Sequence, residues 1–134
     1  MYKADFLPYV GAGQIKLDSP REEVRKILGG AFSEYKKAEF SKNTMDDYSF
    51  FHVAYDEDNK VEAIDFFKET EFLFKDKDLF KLTLSQLKSF LKKNSIDFKV
   101  DDDDCLICDS IGLSFYIPKK IESICVYRKG YYDS

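Results

Sequence analysis

Val61-Glu62-Ala63-Ile64-Asp65-Phe66 returns, at an offset of 60 residues, as Ile121-Glu122-Ser123-Ile124-Cys125-Val126. Both hexapeptides read apolar, Glu, small, Ile, variable, apolar. Each follows a strand-like run and a short polar turn: Phe51-His52-Val53-Ala54-Tyr55 precedes the first, and Leu113-Ser114-Phe115-Tyr116-Ile117 precedes the second. An amphipathic helix pattern stands upstream of each. Such self-similarity implies one supersecondary unit used twice, each copy covering apolar surface that the other cannot bury alone.

The helix patterns carry their own punctuation. Ser19-Pro20-Arg21-Glu22 reads as a capping box with Pro at the first helical position; Val24, Ile27 and Leu28 form one stripe, and Gly29-Gly30 is the stop. In the second pattern Thr83 and Gln86 form the box and Leu87, Phe90 and Leu91 the stripe. Lys92-Lys93-Asn94 places positive charge and a stop at the end. Gly11 to Leu17 reads as an extended entry. Strands are expected over about 35–40, 48–55 and 61–67, then 97–100, 105–108, 113–117 and 121–127, with a hairpin turn at 56–60. Residues 69–78 read equally as strand or linker. The expectation is an α+β fold: one compact domain over 1–134, built from two helix–β-meander repeats (about 11–75 and 76–134). Its sheet would be antiparallel, with the helices packed on one face.

Composition narrows the function classes. The 134 residues include 13 Phe and 9 Tyr but no Trp, and 44% are hydrophobic. Nine phenols exceed what a core this size readily satisfies, so some Tyr rings belong on the surface, where they suit recognition. With 25 acidic against 21 basic residues the net charge is −4, which disfavours free nucleic acid and favours a basic protein partner. No run approaches the ~20 apolar residues of a membrane span. Three cysteines and the charged start Met1 to Pro8 point to the cytoplasm and reduced thiols.

Catalytic and metal motifs find little support. Asp101-Asp102-Asp103-Asp104 lacks the Gly and the terminal Glu of a calcium loop and reads as a hairpin tip. In Cys105-Leu106-Ile107-Cys108 the thiols lie three apart on a strand, pointing to opposite faces, so buried structural thiols are expected. His52 is the only histidine and sits inside an aromatic strand run without a nucleophile elbow. Gly11-Ala12-Gly13 lacks the third glycine of a nucleotide fingerprint. No catalytic residue, cofactor or metal is expected, and no nucleic acid or membrane partner. The assets that remain are acidic and aromatic. Asp56, Asp58, Asp101, Asp102, Asp103 and Asp104 are the expected contacts to a basic partner, with Tyr116, Tyr127, Tyr131 and Tyr132 as its anchors.

Two segments resemble a known pattern. Gly13-Gln14-Ile15-Lys16-Leu17-Asp18-Ser19-Pro20-Arg21-Glu22-Glu23-Val24-Arg25-Lys26-Ile27-Leu28-Gly29 is similar to the helix entry of the β-lactamase inhibitory protein family and of small outer-membrane assembly lipoproteins. Tyr55-Asp56-Glu57-Asp58-Asn59-Lys60-Val61 is similar to their hairpin turn. Asp18 and Asn59 stand where the pattern usually has Gly. The resemblance implies a tandem α+β inhibitor-like fold. In overall style (small, acidic, rich in Phe, Tyr, Lys and Asp) the chain also resembles bacterial immunity proteins. That style implies a non-catalytic inhibitor that neutralises a cognate toxin, of nuclease type and therefore basic. The alternative class is a small-molecule-binding or regulatory module with an aromatic pocket between the repeats. An enzyme using His52, or a homodimer through a sheet edge, stands further off.

Overall fold

The computed structural model describes residues 2–101 and 103–131. In chain order the described elements are β1 (Lys3–Leu7), β2 (Gly11–Ala12), β3 (Ile15–Lys16), α1 (Arg21–Leu28), β4 (Ser33–Tyr35), β5 (Met45–Asp47), β6 (Phe51–Tyr55), β7 (Val61–Phe67), β8 (Glu71–Phe74) and β9 (Lys77–Asp78). A 3-10 turn (Leu79–Lys81) follows, then α2 (Leu84–Lys93), β10 (Lys99–Val100), β11 (Cys105–Cys108), β12 (Leu113–Tyr116) and β13 (Ser123–Tyr127). The fold is mixed α+β and mostly strand, with two sheets and two helices among the described residues.

The larger sheet has eight antiparallel strands in the order β10-β11-β12-β13-β7-β6-β5-β4. The meander β4 to β7 and the meander β10 to β13 thus meet through their last strands. The echoed hexapeptides lie at this seam: Ile124 pairs with Phe66, Cys125 with Asp65 and Val126 with Ile64. Alternation along the strands makes one face apolar. Two cross-strand rows, Phe51–Phe66–Ile124–Phe115–Leu106 and Val53–Ile64–Val126–Leu113–Cys108, run across five strands. All ten side chains are buried, in one core that also takes Val24 of α1 and Leu87 and Leu91 of α2.

The smaller sheet, β3-β2-β1-β8-β9, adds Ala4, Phe6, Ala12, Ile15, Phe72 and Phe74 to the same core. It departs from the expected all-antiparallel arrangement, because β1 pairs with β8 in parallel. β1 lies in a stretch not expected to be a strand, and β8 and β9 resolve residues 69–78 as strand rather than linker.

Other boundaries shift for local reasons. The expected strand 48–55 begins only at Phe51, because residues 48–50 turn the chain from β5 into β6: Ser49 sits at φ 78, Tyr48 N–H donates to the Phe51 carbonyl, and Ser49 N–H donates to Asp47. The expected strand 35–40 ends at Tyr35, and the chain loops outward to Met45. Helix α2 has the expected capping box, with Thr83 and Gln86 bonding each other's backbone N–H. Helix α1 does not: Pro20 is its N-cap and no side chain caps it. The reason is tertiary. Asp18 N–H donates to the Val61 carbonyl, Val61 N–H to the Ser19 carbonyl, and Arg21 N–H to the Asn59 carbonyl. This short ladder holds the backbone of Asp18 to Pro20 against the β6–β7 hairpin, so the helix begins one residue late.

Candidate functional site

The face of the large sheet opposite the core is the candidate site. Its central row is Asp47–His52–Asp65–Cys125–Ser114–Ile107, residues placed by the same alternation that buries their neighbours. A second row, Phe67–Ser123–Tyr116–Cys105, lies at one end of the strands. Met45–Ala54–Ala63–Tyr127 lies toward the other. Most of these side chains are half-buried, and Tyr116 is 45% exposed.

Two concavities sit on this face. The broad one, about 840 Å³, lies at the Ala54 end; Lys37, Lys42, Asp65, Arg128 and Tyr131 are among its lining residues. Its wall is a fixed ionic cluster. Arg128 reaches Asp56 at 2.7 Å, Asp18 at 3.1 Å and Glu62 at 3.6 Å. Partial burial pushes the Asp56 carboxyl up, but the Lys60 amide and the Arg128 guanidinium outweigh it and hold it below its usual range. The smaller concavity, about 380 Å³ and mainly apolar, lies at the Phe67 end between Phe50, Phe67 and Tyr116, rimmed by Glu69 and Glu122.

Between them His52 is held from both sides. Its Nδ1 is 2.5 Å from the Tyr35 hydroxyl and its Nε2 is 3.1 Å from Asp47 Oδ1, while its ring meets Phe67 edge-on at 4.7 Å. Burial and the charges of Asp65 and Asp47 raise the Tyr35 hydroxyl above its ordinary value. Burial and the Asp65 carboxylate push the nearby Cys125 thiol far up. Cys108 on the core face is pushed to about 12 by burial alone. Burial and the charges of Asp101, Asp103 and Asp104 raise Cys105. All three cysteines are free, and Cys105 and Cys108 do point to opposite faces of β11. Among the described residues no three His, Cys, Asp or Glu side chains are grouped to hold a metal ion.

The expected contact residues do not form one patch. Asp101, Asp103 and Asp104 are exposed at the β10–β11 turn, where Asp101 accepts the Asp103 and Cys105 amides. The pairing chain Cys105–Tyr116–Ser123–Phe67 puts that turn at the Phe67 end. Asp56 and Asp58 sit in the β6–β7 turn at the opposite end, Asp56 half-buried and committed to Arg128. Tyr116 is exposed, and Tyr131 is half-buried against the broad concavity. Tyr127 corrects the expectation of an exposed anchor. It is 0% exposed, its hydroxyl donates to Asp109 and its ring stacks on Tyr131 at 5.6 Å. Asp102 and Tyr132 lie outside the described residues.

Sequence reasoning missed three features. Asp46 is fully buried on the core-facing side, where Arg21 and Arg25 of α1 bind it at 2.8–3.0 Å. Asn43 and Thr44 are tied to Arg21, so the β4–β5 loop is anchored at its C-terminal end. The same loop carries Phe40, which is 89% exposed. Only the last had a signal in the sequence: a Phe flanked by Lys36, Lys37 and Lys42.

No helix among the described residues is long and apolar enough to cross a membrane. No protein-family model matches the chain, and neither a curated protein nor a solved structure matches it.

Proposed function

We propose that this protein is a non-catalytic binding protein that neutralises a protein partner through the open face of its large sheet. The observation that carries the reading is the asymmetry of that sheet. One face is filled by ten buried apolar side chains, while the other, equally wide, holds half-buried polar and aromatic groups around two concavities. An antiparallel sheet with one solvated face is stable. Eight strands at ~4.8 Å spacing offer a surface ~34 Å across, which suits a macromolecule better than a metabolite.

We read the two meanders as repeats related by a two-fold axis near the β7–β13 seam, with α1 and α2 covering the core side. This is the tandem architecture implied by the resemblance to the β-lactamase inhibitory protein family. Asp18 and Asn59, which stand where that pattern has Gly, both sit at positive φ (65° and 58°). Asp and Asn tolerate that conformation, so the departure is physically small. The acidic balance and the exposed turn carrying Asp101, Asp103 and Asp104 favour a basic target such as a nuclease-type toxin domain, which is the immunity-protein reading.

The experiment is affinity capture from the protein's own cells with wild type and a Tyr116→Asp/Ser123→Arg variant, at low and high salt. A single basic partner held by wild type at low salt, weakened at high salt and lost by the variant, supports the reading. Equal capture by both forms, or no partner at all, overturns it. A small-molecule reading would centre on the broad concavity, and a ligand-dependent rise in melting temperature without any protein partner would favour it.

A further inference from the structure

Phe40 is by far the most exposed large apolar side chain described, at 89%, and it is not on a floppy segment. It occupies the third position of a closed turn: Ser41 N–H donates to the Ala38 carbonyl, and Ala38 N–H donates to Ser41 Oγ. Beyond the turn, Lys42 pairs with Glu57 at 3.0 Å, and Asn43 donates to the Asp56 carbonyl and to Asn59. The ring is therefore presented on a braced finger, and burying it elsewhere costs little conformational entropy. Lys36 and Lys37 flank it against one acid, Glu39.

The finger and a matching socket lie on the same face at opposite ends of the strands. Lys37, Ser41 and Lys42 line the broad concavity with Ala54 and Asp65, which puts the finger at that end. The apolar concavity between Phe50, Phe67 and Tyr116 is at the other; Ala63 and Phe67, which mark the two ends on β7, are four residues or about 14 Å apart at ~3.4 Å per residue. It is lined by aromatic rings, and its Glu69 and Glu122 rim faces only Lys68, which Glu122 already pairs at 3.2 Å. Two copies stacked face to face about a two-fold axis in the plane of the sheets can set each finger over the other's socket. A self-complementary surface of this kind closes as an isologous pair and leaves nothing to polymerise.

We propose that this protein forms a face-to-face homodimer in which Phe40 of each copy enters the Phe50/Phe67/Tyr116 concavity of the other, with Lys36 and Lys37 against Glu69 and Glu122. The occupant is a second copy because the chain itself carries both halves of the contact, in charge and in apolar shape. An anionic lipid surface fits less well: a lone ring and two lysines on a protein of net charge −4 give marginal membrane binding. The dimer covers the face assigned to the partner, so a partner would bind the monomer and compete with self-association.

The test is sedimentation of the purified chain alone between about 1 μM and about 1 mM, the affinity range of small specific interfaces. Wild type is expected to pass from monomer to dimer, and added salt should weaken the dimer. Phe40→Ala removes two buried rings per dimer and should raise Kd by about 100-fold or more. Ser123→Arg blocks the socket and should do the same. Mixing the two variants restores one finger–socket contact, so a heterodimer tighter than either variant's own homodimer is expected. A wild type monomeric throughout, a dimer indifferent to both changes, or a mixture no tighter than its components overturns the proposal. Failure here leaves the partner reading standing, because that reading is tested by capture rather than by self-association.

Discussion

Replacing Asp46 by Asn should be among the most damaging single changes to this protein. Its carboxylate is completely buried and accepts four bonds: from Arg21 Nη2 at 3.0 Å, from Arg25 Nε and Nη2 at 2.8 Å each, and from the Tyr55 hydroxyl at 3.3 Å. Arg21 is itself only 8% exposed and lies over the Tyr55 ring at 4.3 Å. Asn keeps the shape but removes the charge, leaving a buried guanidinium whose other carboxylate, Glu34, is 3.9 Å away and half-exposed. Breaking a buried pair from one side costs about 3–5 kcal/mol. For a chain of this length that lowers the melting temperature by about 10–20 °C.

The assay is urea unfolding of wild type and Asp46→Asn, with the midpoint falling and the slope unchanged. Acidification adds a second readout. Burial pushes the Asp46 carboxyl up, but the bonds from Arg25 and Arg21 outweigh it and hold its folded pKa below the ordinary aspartate range. A depressed carboxyl contributes stability that is present above the unfolded pKa and lost as pH falls through the folded one. Wild type should therefore lose this part of its stability below about pH 4, and the variant should lack that component. A destabilisation under ~1 kcal/mol would refute the reasoning, since it would mean the cluster is solvated or readily rearranged.

Three further outcomes follow from the same geometry. Thr83→Ala should cost about 1 kcal/mol by urea unfolding because it removes a working cap, whereas Ser19→Ala should cost close to nothing because its side chain caps nothing. Cys105 should be the first thiol alkylated by iodoacetamide in the native protein near pH 8, read by mass mapping. Burial raises both Cys108, to about 12, and Cys125, so these two should react only on unfolding. Gly112→Ala should destabilise by about 1–3 kcal/mol or more, measured by thermal melting. Its φ is 70°, and an added Cβ would lie 2.6 Å from the Tyr127 carbonyl oxygen.

The features legible in the chain are those that adjacent residues decide together. The Thr83 and Gln86 box, the Leu87 and Leu91 stripe, and the alternation that buries Phe51, Val53 and Tyr55 while leaving His52 on the other face all follow from 3.6- and 2-residue periods. The echoed hexapeptides marked two similar strands, though not that they would pair with each other. Tertiary structure decided everything that required a distant partner. Ser19 failed as a cap because the β6–β7 hairpin captured its backbone, and β1 became a strand because β8 lay parallel beside it. Tyr127 was buried by Asp109 and Tyr131, and Asp46 went inward because two arginines on α1 met it there. The acidic turns, alike in composition, fell at opposite ends of one face because antiparallel register alternates the turns between the two ends of a sheet. A residue's own neighbours fix its conformational preference; which surface it ends on depends on contacts whose free energy exists only once the chain has closed on itself.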